Sequence, residues 1–525
     1  MMKKSFGVLV TIIFLLVLVS APADVAEAQP RFNYRYVIPG GSTISTDCTR
    51  QVPCDLRHAI DSVAVDGDVI IVHSGTYHST VMAIDLIFIN KSLTLLGSCE
   101  FDATTSFQCF PEEQSSFLDA ETDKRVIRVE GVTGNEVVTI EGFTIMRGTG
   151  VGMVPCLGGC YDGCGAGIHA TNLGKLTLKN NYIWQNKAGS ISGVGGGLYA
   201  EDVNFLQAIR NTFIFNQATE TGIGGGGGAF VTGSGGPNAV EFDQNLFYNN
   251  EVSTENSSFQ TGAGLSVSES NNVQVTDNQF LYQNYIQHIT DIKGSALYLS
   301  YNTGVSVEGN DFKNGYGGSA VYVAGDSDTE GVIARNQWWN NLGYYNLQLQ
   351  GPVNADVVNN FLGRQPLSTL SRGGGSTSIY LEGNAIFGSN DVDILFNTFA
   401  ATNRGVSIGP YSNVTILSNI FTGLTDAITS DIINVTRVID NNLFHNNSVY
   451  NIPGTHAIYE DPKLADISSG DFHLLPGSGA IDRSIGGDFD IDIDGQSRPV
   501  GAGPTPFDVG ADEFCYPTYL PFISK

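Results

Sequence analysis

Two short apolar patterns recur from about residue 138 to 445. The first alternates apolar and polar with period two, as in Leu176-Thr-Leu178, Val240-Glu-Phe242, Val273-Gln-Val275, Val305-Ser-Val307, Val392-Asp-Ile394 and Val414-Thr-Ile416. Each run leads into a turn of the form Asn-x-apolar. These turns begin at Asn181, Asn211, Asn245, Asn278, Asn310, Asn336, Asn360, Asn397, Asn419 and Asn442, in steps of 22 to 37 residues. The second pattern follows glycine: GAGIHA (165–170), GGGLYA (195–200), GGGAFV (226–231), GAGLSV (262–267), GSALYL (294–299) and GSAVYV (318–323). Repeats of this length with short strands and no helical period predict an all-β solenoid, a single-stranded parallel β-helix. A propeller needs four strands per blade, and a leucine-rich array needs its own leucine frame; neither pattern is present. Each coil adds one strand to each sheet, about 4.8 Å above the last.

That geometry assigns faces. Ile168, Leu198, Ala229, Leu265, Leu297, Val321, Leu347, Ile379 and Val406 are predicted to stack inward as one apolar column. The repeating asparagines are predicted at turns, in the left-handed conformation that Asn tolerates, bonding the backbone of the next coil. Glycine is abundant, 63 residues of 525, but it has no G-X-Y period, so collagen is excluded.

The ends carry resemblances. Cys54-Asp-Leu-Arg-His-Ala-Ile60 and VDGDVIIVHSGTY (65–77) predict a short amphipathic helix and first strands that cap the open end. The first of these resembles the CSLREA motif that opens many bacterial right-handed β-helix proteins, with Asp55 for Ser and His58 for Glu; KSLTLLGSCE (91–100) resembles a first coil of that group. EDPKLADISSGDFHLLPGSGAID (460–482), DIDGQSRP (492–499) and FDVGADE (507–513) resemble the choice-of-anchor Q domain of bacterial exported proteins. These resemblances imply a right-handed, pectin-lyase-like solenoid, export and a role at the cell surface, without fixing an activity. The expected organisation is a signal peptide over 1–28, a cap with first strands over 29–90, the β-helix over 91–455, a C-terminal module over 456–514 and a tail over 515–525.

The leader reading rests on Lys3 and Lys4, an apolar stretch from Phe6 to Val19, and Ala26-Glu27-Ala28 as cleavage site. Fourteen residues fall short of the roughly 20 that span a bilayer, so a secreted or surface-held chain with no membrane span after cleavage is expected. In such a compartment the cysteines Cys48, Cys54, Cys99, Cys109, Cys156, Cys160, Cys164 and Cys515 are expected to form disulfides. Cys48/Cys54 and Cys99/Cys109 are natural pairs. The run Cys156, Cys160, Cys164 leaves one partner to be found elsewhere, with Cys515 a candidate; a metal at that run is the other reading.

Charge narrows the partners. There are 26 Lys+Arg against 53 Asp+Glu, a net charge of −27. Nucleic acid is excluded as a partner, because phosphate neutralisation needs clustered cations. A polysaccharide or cell-surface glycan, bound by a monomer, is the expected partner. The outward column of the second pattern supplies the rings for it: His169, Tyr199, Phe230, Tyr298, Tyr322 and Tyr380, with Ser266, Gln348 and Ser407 between them. Polysaccharide lyases and pectin-type hydrolases, which this fold resembles, hold substrate along such a face. That column has no Asp, Glu, Lys or Arg, whereas a glycosidase needs two carboxylates about 5–9.5 Å apart. The neighbouring row runs Thr177, Gln207, Glu241, Gln274, Ser306, Val332, Asp356, Asp393 and Thr415, so only Asp356 and Asp393 offer adjacent carboxylates. Asp490, Asp492 and Asp494 precede Gly495 and suggest calcium, with Asp508, Asp512 and Glu513 as further ligands; Gly501 stands where an EF-hand-type loop needs Glu. Three readings follow. A rigid glycan-binding face requires the rings to be exposed, a lyase or hydrolase requires a charged cluster on one face, and a structural stalk requires the rings to be covered.

Overall fold

The computed structural model describes residues 33–515 apart from 79–83, 105, 151–162, 234–239, 253–259, 285–291, 327–328, 365–375, 387, 432–434, 450–451, 487–488 and 500–505. The leader, the tail beyond Cys515, Cys156 and Cys160 lie outside the described residues.

Three long parallel sheets run the length of the molecule. The first begins at Tyr34–Ser42 and ends at Val435–Asp440; the second runs from Gly75–Tyr77 to Leu443–His445; the third runs from Asp85–Ile89 to Asp426–Ser430. Each coil visits the third, the first and then the second sheet, as in Leu198–Val203, Leu206–Ile209 and Thr212–Ile214. The coil winds right-handed, the hand that crossovers between twisted parallel strands take.

The inward column forms as expected. Leu198 pairs with Ala229, Ala229 with Leu265, and Leu265 with Leu297, and all four are fully buried. A second interior stack comes from the apolar residue of each Asn-x-apolar turn. Phe213, Phe247, Phe280, Phe312 and Trp338 lie ring on ring, with centroids 4.7 to 5.1 Å apart.

The repeating asparagines differ from expectation. They face into the tube, and the residue before each takes the left-handed turn: Asn180, Arg210, Gln244, Asp277, Gly309, Arg335, Asn359, Phe396, Ser418 and Asn441. Turning the chain one residue early sends the amide inward, where it bonds along the tube axis. Asn245 N–H and Nδ2 donate to Asn278 Oδ1 at 2.8 and 2.9 Å, and Nδ2 also donates to Ala208 O at 2.8 Å. A second ladder, missed in the sequence, stands five residues on. Asn186 N–H donates to Asn216 Oδ1, Asn216 N–H to Asn250 Oδ1, and Asn250 N–H to Gln283 Oε1. The glycines that open the second pattern also have a steric reason. Gly195 has φ +64°, and a Cβ there would stand 2.3 Å from Leu198 O.

The N-terminal end is capped by Leu56–His58, continued as a π-helix over Ala59–Val63. Asp55 accepts from the Arg57 and His58 amides, and Leu56, Ala59 and Ile60 close the core. Cys48–Cys54 and Cys99–Cys109 are disulfides. Cys164 is disulfide-bonded too, but Cys515 is a free, exposed thiol whose Sγ faces Gln496 Oε1. Cys515 is therefore not the partner expected for the 156–164 group. No helix among the described residues is long and apolar enough to cross a membrane.

The C-terminal segment turns back along the outer face of the second sheet. Its hairpin, Leu464–Asp466 with Asp471–Leu474, places Phe472 against Trp339 and Phe361. Gly363 makes room for that ring, since a Cβ there would lie 2.2 Å from Phe472 Cζ. Ile420 and Leu443 are covered by Leu474, Ala480 and Val509.

Candidate functional site

The outward ring column divides into three parts. His169 and Tyr199 stack at 5.2 Å, and Tyr199 and Phe230 at 5.9 Å. This part is not a free face. A small fourth sheet of Gly163–Cys164, Gly193–Val194, Gly224–Gly225 and Gln260–Thr261 packs over it. His169 and Tyr199 are 4% and 2% exposed, and Phe230 is half-buried. Arg125, itself buried, fixes this wall by donating to Gly165 O and Cys164 O at 2.9 and 3.0 Å. Burial first, and then Arg125 and Arg128, pull the His169 pKa to about 3. The imidazole is thus neutral at physiological pH. The wall arises because the glycine runs ahead of each third-sheet strand are extended and pair with one another. The sequence marked those glycines as the entry to each strand, and its alternative, that segments within 222–228 and 250–262 fold over the rings, is the one seen for this part of the column.

Below the wall the rings are not exposed either: Tyr322 is 3% exposed, and Tyr298 and Tyr380 are half-buried, so the exposed ring face expected from the sequence does not form. Tyr298 and Tyr322 are stacked at 5.2 Å, with planes 3° apart. Stacked this way, the rings cover each other's faces. Lys293 Nζ lies 5.0 Å from the Tyr322 centroid and donates to Tyr322 Oη at 3.4 Å. Tyr322 Oη donates to Gln350 Oε1. Burial raises the pKa of both phenols. Next to them is a cleft of about 360 Å³ lined by Lys293, Tyr301, Tyr322, Asp326, Gln350 and Asn384, among others. Tyr301 is 55% exposed at its rim. The third part is Tyr380, which stacks on Tyr345 at 4.7 Å; burial and then the Glu382 charge push its phenol to about 12.

Of the rings singled out in the sequence, only Tyr322 lines the cleft. The other lining residues went unnoticed because most stand on turns between strands, where spacing changes from coil to coil. Tyr301 had a signal: it is an aromatic directly after the alternating strand Leu297–Ser300.

Asp356 and Asp393 are directly paired on the first sheet, and neither lines the third-sheet cleft. Burial, and then Asp393, raise the Asp356 pKa. The pair is flanked in its row by Val332 and Thr415.

The three aspartates offered for calcium do not converge. Asp490 is exposed. Asp492 is fully buried, and its carboxylate accepts from the amides of Asp494, Gln496 and Glu513. Asp494 alone faces other ligand types, namely His473 and Asp512. The aspartate alternation that suggested a calcium loop lies in irregular chain.

Buried beside Asp492 is an acid network around Arg498, which donates to Asp508 O and Gly510 O at 3.2 and 2.9 Å. Burial pushes the Asp508 carboxyl up to about 7. The unfolded value is about 3.9, so between the two the folded state holds a proton that the unfolded chain has lost. This stabilisation is complete at low pH and is lost as pH rises through about 7. The raised pKa of His473 acts in the same sense. The C-terminal module should therefore be cleaved faster by a protease at about pH 8 than at about pH 5.5, after correction for the protease's own pH profile. Asp508→Asn should flatten that dependence; an unchanged slope in the variant would refute the assignment.

A family described as a right-handed β-helix region matches residues 129–280. No curated protein matches the chain. Among solved structures, pectate lyase Pel9A is 12% identical, with coverage of 91% of this chain and 96% of its own and a TM-score of 0.36. A PL6 alginate lyase in complex with trisaccharide is 11% identical over 85% and 92%, with a TM-score of 0.40. XylC in complex with xylose is 11% identical over 91% and 98%, with a TM-score of 0.35. Likeness at this level says nothing about chemistry.

Proposed function

We propose that this chain is an exported, cell-surface or secreted β-helix protein that binds glycan in the third-sheet cleft without cleaving it. The observation that carries the reading is the make-up of the cleft. It combines an exposed tyrosine rim with amide and ammonium groups suited to sugar hydroxyls. Among the described residues its lining holds one carboxylate, Asp326, where hydrolysis uses two. Tyr322 keeps its proton and so serves as a hydrogen-bond donor rather than a base. Export is supported by the leader pattern of residues 3–28 and by the two disulfides. The resemblance of residues 460–513 to a choice-of-anchor Q domain supports a surface role.

On a glycan array the protein should be retained by at least one polysaccharide. Tyr301→Ala with Gln350→Ala should weaken that retention about tenfold or more while leaving the melting point within a degree or two. Equal retention by the double variant would refute binding in the cleft. Depolymerisation of a polysaccharide by the purified chain, abolished by Asp393→Asn, would replace this reading with the enzyme one and place the chemistry on the first sheet.

A further inference from the structure

We infer that the C-terminal module carries a site for a divalent transition-metal ion of the zinc class, built from His473, Asp494 and Asp512. One ligand atom from each residue lies within 4.8 Å of the other two. The three come from different segments: His473 from the strand Asp471–Leu474, Asp494 from the loop after Asp492, and Asp512 from the stretch that closes the module.

The geometry carries the argument. His473 Nδ1 is 2.5 Å from Asp471 Oδ1, and the ring meets Phe361 edge-on at 5.2 Å. A carboxylate against Nδ1 is the arrangement that orients a metal-binding histidine to present its Nε2. That Nε2 faces Asp494 Oδ2 at 3.0 Å, with the Asp512 carboxylate beside it. Asp512 is held by the Leu474 amide at 2.6 Å. One nitrogen and two carboxylates thus converge on one point, from three separate segments. A proton on Nε2 satisfies one contact; a divalent ion satisfies all three.

The surroundings ask for the same charge. Asp492, Asp508, Asp512 and Glu513 are buried, and Arg498 is the one buried cation among the described residues of the module. An imidazole ligand favours a zinc-class ion over calcium, which takes oxygen ligands. Asp494 is exposed, so it has freedom to close on an ion and leaves a path for it. The ion would tie the hairpin to the closing segment.

The test uses the untagged full chain carrying Cys515→Ser, which removes the exposed thiol as a rival ligand. After stripping with chelator, it is titrated calorimetrically with zinc chloride alone, then with calcium chloride. One equivalent of zinc should bind at neutral pH, more weakly as pH falls and His473 charges. In Asp494→Asn, which alters an exposed side chain, zinc affinity should drop at least tenfold while the metal-free melting point holds. In saturating zinc, nitrogen NMR should show His473 Nε2 without its proton. Absence of zinc uptake would overturn the site, as would equal affinity in Asp494→Asn, tighter binding of calcium, or an Nε2 that keeps its proton in saturating zinc. That last result would leave a protonated histidine bridging Asp471 and Asp494 instead.

Discussion

Replacing Asn278 with alanine should destabilise the β-helix by about 3 kcal/mol or more, because three hydrogen bonds to buried polar groups are lost at about 1–3 kcal/mol each. Those groups are the Asn245 amide N–H and the Asn245 Nδ2, which donate to Asn278 Oδ1, and Phe242 O, which accepts from Asn278 Nδ2 at 2.8 Å. Asn278 is fully buried inside the tube, so bulk solvent does not reach these groups. For a protein whose net stability is of the order of 5–15 kcal/mol, one amide decides whether the central coils stay folded. Denaturant unfolding monitored by circular dichroism measures the change. Gln274→Ala, four residues earlier on the exposed face, should shift it by about 0.5 kcal/mol or less. Similar curves for the two variants would mean that the ladder contributes little.

Phe472→Ala should release the C-terminal module while leaving the β-helix folded. The ring is 1% exposed and touches Trp339, Phe361 and the bare backbone of Gly363. Removing a buried phenylalanine costs about 3–5 kcal/mol, which is large for a module joined to the sheet through two small apolar clusters. Polar ties would remain, including Asn359 Nδ2 to Ile491 O and Ala511 N–H to Thr398 Oγ1. Limited proteolysis should cut the variant between residues 456 and 515 at a rate at least tenfold above the parent. The main unfolding transition should stay in place. Simultaneous loss of both would show that the module is part of one cooperative unit.

The repeat was legible because its physics is local and identical in each coil. Leu198, Leu265 and Leu297 are placed by period two, and their burial follows from strand pairing alone. The second ladder was equally written in the chain, as Asn-x-apolar-x-x-Asn at 181–186, 211–216 and 245–250. It was overlooked because Gln283 and Gly315 break the identity of that position. The conformation of the asparagines was misassigned by one residue, because a tolerance for left-handed geometry is a property of a residue type, whereas the corner is set by where the amide must point.

The site was far less visible. Rings at coil spacing are present in the sequence, but whether a wall covers them depends on glycine runs pairing across coils. Tyr199 and Tyr298 look alike in register and differ in what lies above them. The cleft draws on Lys293, Asp326 and Asn384 from outside the long strands and on Gln350 from the end of the strand Tyr345–Gln350, positions that share no period. The metal constellation joins His473 to residues some 21 and 39 positions away in irregular chain, a closeness that no alternation encodes.

Each rung of the asparagine ladder offers the same donor on one side and the same acceptor on the other. A whole coil inserted or excised therefore meets a matching neighbour at both cut ends, whereas a fraction of a coil does not. The length of such a molecule can change by duplication in whole-turn increments, and the distance between its two ends can be reset without redesigning either one.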